Sequence, residues 1–268
     1  MATFDLTRLR AVVFDTDGVV TDTARVHAAA WKHVFDAFLR GRSAPFDVRA
    51  DYLAFVDGRP RLDGVRTFLA SRGISIPEGG PQDEPGAETV HGLGLAKDAL
   101  FVEAIAHHGV AAFPSTVVLL HELRQRGCRT GVVSASRHCH AVVSSAGLLH
   151  LFDVVLGGED AAELGLPGKP DPALFLEAAR RLELPPDVVA IVEDALPGVE
   201  AARRGGFGLV VGVDRSGSGV DRSGSGVPGD GPGAAGAGAR AMRAAGADVV
   251  VADLADTDVS GRVPVGRP

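Results

Sequence analysis

The stretch Ala11-Val12-Val13-Phe14-Asp15-Thr16-Asp17-Gly18 (AVVFDTDG) decides the fold. Its four consecutive apolar residues show no polar alternation, so they read as a strand buried on both faces, inside a parallel sheet. The run stops at two acids and a glycine. In open α/β sheets the reactive crevice lies outside the carboxyl ends of the strands. Asp15 and Asp17, at i and i+2, can there approach one bound group together. Asp and Gly after a strand are also ordinary turn chemistry, and this stretch alone leaves both readings open.

Working outward, short β-branched runs predict further strands over 129–133 (RTGVV), 153–156 (DVVL), 188–192 (VVAIV), 209–211 and 248–251 (DVVV). Amphipathic helical patterns separate most of them. Over 115–126, Val118, Leu119 and Glu122 mark the expected inner face; over 172–182, Leu174, Phe175, Ala178 and Leu182 do. Strand and helix in alternation imply an α/β doubly wound parallel sheet. The rhythm breaks between 24 and 108, where helical patterns dominate (26–39, 47–56, 62–71 and 98–107) around a polar loop at 79–88. The expected organisation is an α/β core made of residues 1–23 and 109–268, with an inserted all-helical domain over 24–108. Residues 215–240 are rich in Gly, Ser and Pro, and VDRSGSG at 213–219 recurs unchanged at 220–226. Such a composition buries too little apolar surface to offset its ordering entropy, so a solvent loop without function is expected.

Composition narrows the function. Of 268 residues, 46% are hydrophobic and 23% charged, the balance of a globular chain. No run approaches the roughly 20 apolar residues of a membrane helix, and the start lacks the pattern of a signal peptide, so a cytoplasmic protein without a membrane partner is expected. Cys128 and Cys139 form no disulfide framework and read as free thiols of a reducing compartment. A net charge of −7, no basic stripe and 5% aromatics argue against a nucleic-acid partner.

Three more elements carry chemistry. Ser134-Ala135-Ser136 follows the strand ending at Val133, and its hydroxyl and N–H groups suit a phosphate oxygen, or else a helix N-cap. Gly168-Lys169-Pro170 locks a point charge suited to a phosphoryl group, or is a surface turn. Glu193-Asp194, at another strand end, offers oxygen ligands for a hard cation, or an acidic helix start. Taken together they describe an acidic Mg²⁺ pocket with a Lys and a Ser for a phosphate.

This ordered set resembles the haloacid dehalogenase superfamily of phosphotransferases, from Ala11 to about Val213. The resemblance implies a Rossmann-like core with an inserted helical cap. It implies Asp15 as nucleophile, Asp17 as general acid/base, Ser134, Ala135 and Lys169 on the phosphate, and Mg²⁺ held by Asp15, Asp17, Glu193 and Asp194. Residues 15–32, DTDGVVTDTARVHAAAWK, are similar to the opening of the β-phosphoglucomutase-like subfamily, including Thr23, His27 and Trp31. In that subfamily the His orients the general acid and pairs with a cap Lys, where Lys97 falls. Gly58-Arg59-Pro60-Arg61 fits the subfamily's Gly-x-x-Arg for the distal phosphate, and Ser136, Arg137 and His138 are expected along the substrate. Trp31 also fits core packing. Two positions depart from the subfamily: Asp57 stands where a Lys is usual and His138 where an Asn is common. The implied protein is a monomer acting on a small-molecule sugar phosphate, most simply as a mutase. Asp57 favours a sugar-phosphate phosphatase instead. A non-catalytic ligand-binding module would be expected to lose Asp15 or Asp17, and both are present.

Overall fold

Strand β2 (Ala11–Asp15) is buried at every position, as its unbroken apolar run requires. In the computed structural model, which describes residues 2–215 and 236–264, β2 sits inside a six-stranded sheet. In spatial order the strands are Val154–Leu156 (β4), Arg129–Val133 (β3), β2, Val189–Glu193 (β5), Leu209–Val213 (β6) and Val249–Val251 (β7). All neighbours pair in parallel. The chain runs outward from β2 through β3 to β4, then crosses back to β5 on the other side. The reversal puts the crevice at the carboxyl end of β2. Register sets its level: Asp15 lies opposite Val133, and Phe14 opposite Val192. The loops beginning at Thr16, Ser134 and Asp194 therefore leave the sheet side by side.

Successive side chains of a strand point to opposite faces, and the core divides accordingly. Val12, Phe14, Val132 and Val192 pack with Leu119, Leu120 and Leu123 of helix α4 (Pro114–Gln125). Val13, Val133, Val189 and Ile191 pack with Leu174 and Phe175 of α7 (Ala173–Arg181) and with Val199 of α8 (Leu196–Arg204). The remaining core helices are α5 (Cys139–Ser145), α6 (Gly158–Glu163) and α9 (Ala237–Ala245).

Three helices, α1 (Ala24–Leu39), α2 (Arg61–Ser71) and α3 (Val90–His108), form the cap, together with a π-helical turn at Tyr52–Val56. They bury a cluster of their own, in which Trp31 stacks on Phe35 at 4.9 Å and Phe35 meets Phe68 at 4.2 Å. The chain leaves and re-enters the core through a paired hinge: the Asp22 N–H donates to Ala111 O (2.9 Å) and the Phe113 N–H to Val20 O (3.0 Å). Among the described residues no helix is long and apolar enough to cross a membrane.

Several expectations need correction. Val118 is 66% exposed; the buried face of α4 is Thr116, Leu119, Leu120 and Leu123, and neither Val118 nor Glu122 belongs to it. Helix α3 starts at Val90, well before the expected 98, with the Thr89 hydroxyl accepting from the Gly92 N–H (2.9 Å). Gly92 and Gly94 lower helix propensity and hid this start, but a Cβ at Gly94 would lie 2.9 Å from Leu62 Cδ2, so close packing on α2 demands the glycine. The helix expected over 47–56 is capped at Asp47, whose carboxylate accepts from the Arg49 and Ala50 N–H groups (2.8 and 2.6 Å), and it runs on as the π-helical turn Tyr52–Val56. Two short strands, β1 (Ala2–Asp5) and β8 (Thr257–Ser260), pair in parallel outside the main sheet, and sequence patterning did not show them.

The stretch 215–240 is structured at both ends. Arg215 is buried, with its guanidinium 3.8 Å over the Phe113 ring, its Nε–H donating to Gly18 O (3.2 Å), and an ion pair to Asp253. At the other end α9 begins at Ala237. A Cβ at Gly238 would lie 2.5 Å from an Asp214 carboxylate oxygen, so the helix start packs on the first repeat copy. The rest of the expected loop, 216–235, lies outside the described residues.

Candidate active site

At the carboxyl end of β2, Asp15 Oδ2 accepts the Asp17 N–H (2.9 Å). Lys169, carried by the loop before α7, bonds Asp15 Oδ1 and Glu193 Oε1 (2.7 Å) and sits 4.9 Å over the Phe175 ring. It is 4% exposed, which excludes a surface turn. Burial disfavours its charge, but the carboxylates of Asp15 and Glu193 outweigh burial and hold the ammonium protonated, well above the usual lysine range. For Asp15, burial and then the Glu193 charge push the carboxyl well above the usual carboxylate range, against the pull of Lys169. Glu193 Oε2 accepts the N–H groups of Asp194 (2.5 Å) and Ala195 (3.1 Å). A Cβ at Gly198 would fall 1.6 Å from Glu193 Oε1, so only glycine lets α8 pack there.

Carboxylate oxygens of Asp15, Glu193 and Asp194 lie within 4.8 Å of one another, all buried. Three carboxylates against one ammonium leave an excess of negative charge on hard oxygen donors, which fits a small divalent cation such as Mg²⁺. Asp17 is not part of this cluster. Its carboxylate accepts from the Thr23 and Ser134 (2.8 Å) hydroxyls instead.

His27, at the start of α1, places Nε2 3.3 Å from Asp17 Oδ1, a long approach short of a full hydrogen bond. Its Nδ1 lies 2.6 Å from Lys97 Nζ. An ammonium only donates, so Nδ1 accepts and the ring proton sits on Nε2, facing Asp17. Burial, then the Lys97 charge, lowers the His27 pKa, which keeps the ring neutral. Burial works to raise the Asp17 carboxyl, but His27 and the two hydroxyls hold it below the usual range. Burial brings Lys97 down to about 8, partly opposed by Asp98 and Asp17. The Lys97 ammonium lies 4.6 Å from the Phe101 ring and 5.7 Å from Trp31.

Core and cap enclose a cavity of about 450 Å³, lined by Asp15, Asp17, Ala135, Ser136, Arg137, Lys169 and Asp194 from the core, and by His27, Trp31, Asp57, Gly58, Arg61 and Lys97 from the cap. The two halves touch at glycines. A Cβ at Gly58 (φ +67°) would lie 2.9 Å from Ala195 Cβ, and one at Gly168 would lie 2.1 Å from Pro60 Cγ. Ser134 Oγ accepts the Ser136 N–H (2.9 Å), and Ser136 Oγ the His138 N–H (3.2 Å), so the phosphate-loop candidates brace one another. His138 and Arg61 are joined by a residue that sequence reasoning missed. Asp98 Oδ1 accepts from Arg61 Nη1 (2.6 Å) and His138 Nε2 (2.9 Å). It follows Lys97 directly, but no motif marks it. Burial pushes both cysteine thiols up to about 12, so neither offers a thiolate.

Comparison with known proteins shows the family and the fold. A family model described as haloacid dehalogenase-like hydrolase matches residues 9–206. The chain is 41% identical over 256 residues to a β-phosphoglucomutase of Mycobacterium tuberculosis, covering 93% of this chain and 91% of that protein. It is 26% identical to a validoxylamine A 7′-phosphate phosphatase of Streptomyces hygroscopicus subsp. limoneus, over 74% of this chain and 82% of that one. In fold it is similar to the crystal structure of CbbY from Rhodobacter sphaeroides in complex with phosphate (TM-score 0.64, 23% identity, 92% of this chain and 96% of that chain).

Proposed function

We propose, for a chain that belongs to the haloacid dehalogenase-like hydrolase family and its β-phosphoglucomutase-like subfamily, Mg²⁺-dependent phosphoryl transfer that converts β-glucose 1-phosphate to glucose 6-phosphate. We take residues 24–108 as the cap. Asp15 attacks phosphorus in line; the bond from phosphorus to the leaving oxygen breaks and an aspartyl phosphate forms. Asp17, ionised at rest, takes the proton of the sugar hydroxyl that attacks the aspartyl phosphate, and gives that proton to the leaving oxygen when Asp15 attacks. His27 presents Nε2–H to Asp17, and Lys97 fixes that tautomer from Nδ1. Lys169 and the Ala135 N–H hold the transferring phosphoryl oxygens, and the Ser134 hydroxyl turns from Asp17 toward them. Asp15, Glu193 and Asp194, whose oxygens converge in this structure, would hold Mg²⁺. Bound there, the ion would supply positive charge against the phosphoryl oxygens. Arg61 holds the phosphate that is not transferred.

The observation that supports a sugar rather than water as acceptor is the closed seam. Cap meets core at Gly58–Ala195 and Pro60–Gly168, over a cavity that both Asp15 and Arg61 line. Its volume of about 450 Å³ suits a small phosphorylated sugar. One observation favours a phosphatase as second reading: Asp57 lines the same cavity and opposes a distal phosphate. Incubation with β-glucose 1-phosphate, Mg²⁺ and catalytic β-glucose 1,6-bisphosphate decides. Glucose 6-phosphate with little free phosphate is expected. Free phosphate matching the substrate lost would overturn the mutase in favour of the phosphatase, and no turnover of any sugar phosphate would overturn both.

A further inference from the structure

We propose that Asp98 is a positioning residue that latches the cap onto the core and aims Arg61 into the cavity. A single oxygen, Oδ1, accepts from Arg61 on α2 and from His138 at the start of α5, at 2.6 and 2.9 Å. Asp98 lies on α3, so three elements converge on one carboxylate, two from the cap and one from the core. All three side chains are largely shielded, at 20%, 26% and 23% exposure for Arg61, Asp98 and His138. An ion pair so enclosed is screened less than one on the surface.

The partners give the contact its consequence. His138 continues the Ser134–Arg137 loop, and its own N–H is bonded to Ser136 Oγ. Arg61 follows Pro60, which presses on Gly168, the neighbour of Lys169. The residue before Asp98 is Lys97, which holds His27. One turn of α3 therefore sends Lys97 to the group facing Asp17 and Asp98 to the loop beside Ser134. Cap position and the posture of both core groups are thereby coupled. Without Asp98, Arg61 keeps its place on α2 but loses the carboxylate that orients its guanidinium, and the seam at Gly58–Ala195 and Pro60–Gly168 loses its ionic tie.

The inference rests on the proposed function for one readout only, the choice of acceptor. The other readout is amide hydrogen exchange of the substrate-free protein at residues 57–59 and 135–138. Asp98→Ala and His138→Ala should each speed that exchange several-fold and raise the ratio of free phosphate to glucose 6-phosphate. The double variant should be no worse than the worse single, because both remove the Asp98–His138 contact. Asp98→Asn keeps Oδ1 as acceptor and should retain most of the protection, a rescue that generic destabilisation would not show. Should Asp98→Ala fail to melt cooperatively, Asp98→Asn compared with His138→Ala carries the same test. Unchanged exchange at the seam, or strictly additive effects of the two alanines, would overturn the latch. If the parent makes no glucose 6-phosphate, the mutase reading falls, while exchange still decides the latch.

Discussion

At the core edge, Asp15 and Glu193 end strands whose register is set by backbone ladders, and Lys169 is clamped between them. Across the same cavity, Arg61, Lys97 and Asp98 extend from helices and are held by other side chains: Arg61 and His138 by Asp98, His27 by Lys97. Sheet-borne groups keep their places when one neighbour is removed. Groups that position one another do not. Changes at the core edge should therefore stop the chemistry, whereas changes in the cap should redirect or slow it.

The largest effect should come from the core. Asp15→Asn should cut phosphoryl transfer by roughly 10⁴-fold or more, because the amide is nearly isosteric but not nucleophilic. Far-ultraviolet circular dichroism and melting should remain those of the parent. Turnover within about tenfold of the parent would remove Asp15 from its role, and a lost fold would blur the division between core and cap.

Lys97 tests the cap side through pH. Its ordinary value of 10.5 falls to about 8 in the fold, so the folded chain binds this proton less tightly than the unfolded one. Stability contributed by this group therefore rises with pH between about 8 and 10.5. The gain is on the order of 3 kcal/mol. Denaturation curves measured across that window should show this slope in the parent and not in Lys97→Met. Lys97→Met should lower transfer by about 10²-fold through His27. A parent slope identical to that of the variant would mean that Lys97 is not buried as a cation.

Arg215 ties the turn after β2 to the hinge, since it bonds the Gly18 carbonyl and stacks on Phe113. Arg215→Ala should cost about 1–3 kcal/mol and lower kcat several-fold with little change in KM. Arg215→Lys, lacking the planar stack, should restore little of either. Smallest of all, removal of one repeat copy, 220–226, should shift stability by less than about 1 kcal/mol, because loop entropy varies slowly with length. A larger loss in a melting experiment would give that segment a structural task.

The core side of this comparison was legible in the sequence because its groups are contiguous with strand signals. A strand's carboxyl end and the acids after it are read in one glance, and Ser134 and Glu193 follow by the same rule. Asp98 was not legible, because its partners lie on two other elements and only packing brings Arg61 and His138 to one oxygen. Arg215 was hidden differently, as one buried guanidinium within a low-complexity repeat. The early start of α3 was masked by Gly92 and Gly94, which local propensity penalises and helix contact at Gly94 requires. Val118 was misplaced because Val118 and Leu119 are adjacent on a helix, and only one of two such neighbours need face the core.

Asp15 should carry the phosphoryl group, and the closed cap should deliver it to a sugar. A single-turnover acid quench after mixing with phosphate-labelled β-glucose 1,6-bisphosphate and Mg²⁺ tests both halves at once. The label should appear on the peptide containing Asp15, and a chase of β-glucose 1-phosphate should move it to sugar faster than water releases it. Label found on no Asp15 peptide, or lost to water at the same rate with and without the sugar, would contradict the account.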